Sequence, residues 1–138
     1  MHEEFREWHP TTGITAPCAR VDMSETEGNL VLLLVFSDVV DGEQRNLQLR
    51  FGRVVAVMSH EESAHPWNDS QQAQPKLAGR WSDYTFPCLE VKGSRWLSSF
   101  GESGLFGRGE CHHFQVVTLE KTVDVAAVHE PTAEWLAV

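Results

Sequence analysis

A mainly β domain, a β-rich α+β chain built from antiparallel strands, is what this sequence predicts, and three observations predict it. Apolar and polar residues alternate at 18–24 and again at 46–51, the period of a strand with one wet face. The other apolar runs are short and bounded by turn residues, as at Leu30–Phe36 between Gly28-Asn29 and Asp41-Gly42. No helical crossover separates successive runs, so neighbours are expected to pair antiparallel. The expectation is about seven strands in a strongly curved antiparallel sheet, closed as a barrel or folded as a sandwich, with one short helix near 94–100. The chain of 138 residues fits a single domain over 1–138.

Residues 1–17 have no clear period and read as a short helix at Glu3–Trp8 or as a strap over the core. Between Cys18 and Ser24, Ala19, Val21 and Met23 alternate with Arg20, Asp22 and Ser24. Glu27-Gly28-Asn29 is a turn signal. Leu30–Phe36 is apolar throughout and reads as a central strand buried on both faces. Asp41-Gly42 marks a hairpin turn. Leu47, Leu49 and Phe51 alternate with polar residues, Gly52 breaks or bulges the strand, and 54–58 is again β-rich. Together 18–58 reads as a meander of two successive hairpins.

Residues 59–83 form a long polar connection with two prolines, with room for a short helix at 71–78. The third part, 84–129, is a strand, a helix and a hairpin. Phe86–Val91 is a strand, with Pro87 favouring an edge or a strand start. Ser94 is placed to cap a helix carrying Trp96, Leu97 and Phe100 at one-turn spacing. A loop with four glycines spans 101–110. Two strands follow, at 112–117 and 122–128, and the chain ends in a tail with Trp135, which reads as closing the last edge.

Composition bounds the function. Acidic residues outnumber basic ones 20 to 11, for a formal charge of −9. That charge repels phosphate backbones and argues against nucleic acid, while a basic protein partner is easier electrostatically. Hydrophobic content of 41% with 22% charged residues is globular. Three widely spaced cysteines, Cys18, Cys88 and Cys111, form neither a CxxC nor a disulfide framework. No run is long enough to span a bilayer, and the opening MHEEFREWHP does not read as a signal peptide. The expected location is the cytoplasm, with reduced thiols and no membrane association.

The stretch Glu110-Cys111-His112-His113 carries the densest set of reactive side chains. If 112–117 and 122–128 form a hairpin with a loop at Glu120-Lys121, Phe114, Val116, Val123, Val125 and Ala127 share the core face, and His113, Gln115 and Asp124 share the other. His112 then stands opposite His129, with Cβ atoms about 4.5–5.5 Å apart. Two imidazoles at that spacing suit a zinc ion, with Glu110 or Glu130 to complete it. His112 and His129 are therefore the candidate metal ligands, weighed against the wet end of a strand, and no cofactor is implied. A Cys–His nucleophile built on Cys111 is the enzymatic alternative. Trp67 and Trp81 lie where no period places them in a core, and are the candidate binding residues for a partner. An aromatic-lined cavity between sheet and long loop would instead take a small apolar ligand.

About 55 residues of the C-terminal half resemble small bacterial proteins of the immunity type found beside polymorphic toxins. The residues that carry the likeness are FPCLEVKGSRWLSSF, with Ser94, Trp96 and Leu97, then His113-Phe114, then Val123-Asp124-Val125, then the closing AEWL. These motifs are structural and transfer no active site. The resemblance implies a non-enzymatic protein-binding module, such as a toxin-neutralising immunity protein.

Overall fold

The computed structural model describes residues 3–38, 42–61, 74–100 and 111–138. Among these residues there are nine strands: β1 (Glu4–Glu7), β2 (Cys18–Thr26), β3 (Asn29–Phe36), β4 (Arg45–Phe51), β5 (Val54–His60), β6 (Cys88–Lys92), β7 (His112–Val117), β8 (Thr122–Ala127) and β9 (Thr132–Ala137). A 3-10 turn covers Gly79–Trp81, and one four-residue helix, α1 (Arg95–Ser98), follows β6. The strands form two antiparallel sheets, of order β1-β6-β7-β8-β5 and β2-β3-β4-β9. Of the expected barrel or sandwich, the described residues form two separate sheets and close no barrel.

Two strands beyond the expected seven come from the chain ends. Glu4–Glu7 is not helical; it pairs with β6, Phe5 opposite Val91. The C-terminal tail pairs with β4, Trp135 opposite Leu47. Neither segment has a strong period of its own, and each is extended because a neighbouring edge supplies its hydrogen bonds. The helix suggested at 71–78 lies partly outside the described residues; from 74 the chain is not helical, and Lys76 bridges Thr85 instead.

The first three strands of the meander are as expected, but its last step is not a hairpin. β4 pairs with β3 and β9, whereas β5 crosses to the other sheet and pairs with β8. The cause is local. Arg53 takes a left-handed φ of 49° directly after Gly52, which turns the chain out of one sheet and into the other. β3 is also not buried on both faces. Leu30, Leu32, Leu34 and Phe36 point inward, and Val31, Leu33 and Val35 lie half-buried on the outer face, because this sheet is covered on one side only.

The core fills the space between the sheets. Phe51 and Phe114 are fully buried, their rings 5.7 Å apart, and Trp8 lies 4.4 Å from Phe114. Trp8 is brought in by a backbone hydrogen bond to the Cys88 carbonyl. Truncating such a ring costs about 3–5 kcal/mol.

The β7–β8 register is shifted by two residues from the expected one. Val116 faces Val123, Phe114 faces Val125 and His112 faces Ala127, not His129. Thr118 sets this. Its backbone N–H and its hydroxyl both donate to the Lys121 carbonyl, and its Oγ1 accepts from the backbone N–H groups of Glu120 and Lys121. The turn therefore closes on Leu119-Glu120, one residue earlier than Glu120-Lys121. An even-numbered slip leaves every side chain on its expected face, so the core face is as read.

Candidate functional site

The outer face of the five-stranded sheet carries a buried polar network. Asp124 on β8 has no solvent exposure, and His113 on the adjacent β7 is 2% exposed. Three donors converge on the Asp124 carboxylate: His113 Nε2 at 2.6 Å, His60 Nε2 at 2.8 Å from the end of β5, and Gln115 Nε2 at 3.0 Å. Gln74 in turn donates to Gln115 Oε1 at 3.3 Å. The His60 Nδ1 faces the Glu61 carbonyl at 3.0 Å, so both nitrogens of this ring face oxygen atoms.

The His113 Nδ1 lies 2.7 Å from Ser94 Oγ. With Nε2–H donated to Asp124, Nδ1 accepts the hydroxyl proton of Ser94. The serine oxygen also accepts from the Leu97 backbone N–H as the N-cap of α1, and Glu3 Oε2 accepts from the Arg95 N–H at 2.8 Å. Gly93, with φ 67°, makes the turn from β6 into this cap. Trp96 closes over the cluster with its ring 5.0 Å from that of His113.

Serine, histidine and aspartate are the residue set of acyl-transfer catalysis, and here they form one hydrogen-bonded chain, Ser94–His113–Asp124. Ser94 is 5% exposed and its oxygen is spent on the cap. The Arg95 N–H is taken up by Glu3. The network fastens α1 and the N-terminus to the sheet.

The sequence-level candidates fall apart spatially. His112 points to the core-side rim, where its Nδ1 lies 3.0 Å from Glu90 Oε2. Lys92 Nζ also donates to that oxygen at 3.0 Å. Burial raises the Glu90 carboxyl, but these two bonds and the charges of Lys92 and His112 outweigh it and hold the pKa below the ordinary value. His129 is exposed beyond the end of β8, so the paired imidazoles expected at 112 and 129 do not form. Among the described residues no group of three or more His, Cys, Asp or Glu side chains could hold a metal. Cys111 is half-buried, and burial raises its thiol pKa against the backbone hydrogen bond of His112; a raised pKa is unfavourable for a nucleophile. Trp67 lies outside the described residues.

Trp81 is half-buried and packs on the edge of the core. Arg80 stacks over its ring at 4.8 Å and pairs with Asp38, and Tyr84 meets it edge-on at 5.5 Å. Tyr84 is 40% exposed and Leu119 55%. Both line a cleft of about 220 Å³ with Pro17, Lys76, Asp83 and Thr118. At the other end of the strands a cleft of about 370 Å³ opens between the β2–β3 turn and β5, lined by Glu25, Gly28, Asn29, Leu30 and Val54–Val57. Its lining is aliphatic and acidic, not aromatic.

No helix among the described residues is long and apolar enough to cross a membrane. Compared with known proteins, the chain matches no family model, no curated protein and no solved structure.

Proposed function

We propose that the protein is a non-enzymatic binding module for a basic protein, of the kind that neutralises a toxin by occupying it. The observation that carries this reading is the open cleft lined by exposed Tyr84 and Leu119, with the stacked Arg80–Trp81 pair meeting Tyr84 edge-on. Tryptophan, tyrosine and arginine are the residue types that dominate binding energy at protein interfaces, and two of the four exposed large apolar side chains among the described residues, Tyr84 and Leu119, sit here. The cleft holds one cation, Lys76, and one anion, Asp83, so the preference for a cationic partner rests on the overall charge of −9. The buried network adds support from the other side, since its most catalytic-looking residues are closed off. The likeness of the C-terminal half to immunity proteins points the same way.

The test is capture from an extract of the native host at low and high salt, with the Tyr84→Ala and Leu119→Ser double variant alongside. The expected result is one basic protein held in equal stoichiometry, released by salt and bound at least tenfold more weakly by the variant. Nothing retained at low salt, or a partner indifferent to both salt and variant, overturns the reading.

A further inference from the structure

We infer that the free edge of β2, from Asp22 to Thr26, is a strand-pairing site for an extended, lysine- or arginine-bearing segment of a partner protein; this rests on the basic-partner reading above. β2 pairs with β3 on one side, and among the described residues no strand pairs with its other edge. Asp22, Met23, Ser24, Glu25 and Thr26 are all exposed, so backbone donors and acceptors are open to a new strand. The segment is nonetheless held straight. Its start is fixed by the Cys18–Thr118 bridge and by buried Val21, and its other side is in unbroken register with β3 from Arg20 to Thr26. A pre-formed edge lowers the ordering cost of adding a strand.

The chemistry of the edge selects the occupant. Asp22, Glu25 and Glu27 are acidic, and Arg20, the cation on the strand itself, is turned onto Asp22 at 3.4 Å. Met23 and Glu25 face the same side as Leu32 and Leu30, the side on which the 370 Å³ cleft opens with its floor of Leu30, Val54 and Val57. A lysine or arginine lays its methylenes on such aliphatic surface and keeps its charge at the rim, where Glu25 stands. A second copy of this chain is the wrong occupant. It would bring the same acidic edge and the same net charge of −9 up against this one, which repels.

The probe is a nonapeptide of alternating lysine and threonine, titrated into the isotope-labelled protein at low ionic strength. Two isomers accompany it, N-methylated on its odd or its even residues, so that only one loses the pairing edge. The expected result is amide shifts concentrated at Val21–Glu27, at least tenfold weaker binding for one isomer only, and at least tenfold weaker binding to the Asp22→Lys, Glu25→Lys variant at unchanged Tm. Equal binding of all three peptides, shifts centred on Tyr84 and Leu119, or no shift at millimolar peptide overturns the inference. Failure of the basic-partner reading shows separately, as an empty low-salt capture with the unmodified protein.

Discussion

Asp124 Oδ1 and His113 Nε2 lie 2.6 Å apart across the β7–β8 pair, both withdrawn from solvent. The carboxylate accepts from two further side chains, so removing it strands three buried donors at once. A buried hydrogen-bonded charge that loses its partner costs about 3–5 kcal/mol. Asp124→Ala is expected to lose that much in urea unfolding, and His113→Ala in the same background is expected to cost much less than it does alone. Additive losses in this double-mutant cycle would show that the two residues act independently.

The β2–β3 turn places two consecutive residues in the left-handed region, Glu27 at φ 51° and Gly28 at φ 82°. A two-residue turn of this hand favours Asn-Gly or Asp-Gly, and glutamate is strained there. Glu27→Asn is expected to stabilise the protein by about 0.5–1 kcal/mol, read as a rise in the urea midpoint at constant m-value. An unchanged or lower midpoint would mean that the Glu27 side chain makes a compensating interaction.

The strands with strong periods were legible in the sequence because burial on one face writes alternation directly, as in β2 and β4. The ends were not. Glu4–Glu7 and Thr132–Ala137 are extended only because β6 and β4 offer them open edges, and that is tertiary information. The crossing of β5 was hidden for a similar reason, since a glycine before an arginine reads equally as a bulge or as an exit. Most of the buried network was half visible. The shared face of His113, Gln115 and Asp124 follows from parity alone, and Ser94 from its capping position. Their meeting, and the arrival of His60 from 64 residues away, depends on how β5, β6, β7 and β8 are ordered. His112 and His129 looked paired because the Thr118 side chain, which moves the turn by one residue, has no signature in hydrophobic pattern.

Glu90 gives an acid limb to stability. Its carboxyl is held below the ordinary value in the folded state by Lys92 and His112, against the opposing effect of burial. The stabilisation is therefore fully present above the unfolded carboxyl pKa of about 4.3 and is lost as pH falls through the folded value. Glu90→Gln is expected to be less stable than the unmodified protein near neutrality, with the gap closing below that range. A gap that stays constant from pH 7 to pH 3 would show that the ion pairs contribute nothing.

The cysteines give the opposite limb. Burial pushes the Cys18 thiol up to about 12 against the opposing backbone hydrogen bonds of Val35 and Arg20, and burial raises Cys88 well above the ordinary thiol range. In the unfolded chain both ionise near pH 8.5. The unfolded state therefore binds fewer protons than the native state above that pH, and stability falls as pH rises. For Cys18 the loss is about 2 kcal/mol by pH 10, and Cys88 adds to it in the same direction. A Cys18→Ala, Cys88→Ala variant starts less stable, because it leaves small cavities, but its stability is expected to fall less steeply between pH 8 and pH 10. Access should rank the three thiols independently of pKa. Cys111 is half-buried while the other two are fully buried, so a disulfide reagent at pH 8 is expected to modify one thiol in the native protein and the remaining two only at the rate of unfolding. Parallel alkaline slopes for variant and parent, or three thiols reacting together without denaturant, would place Cys18 and Cys88 outside the core that joins the two sheets.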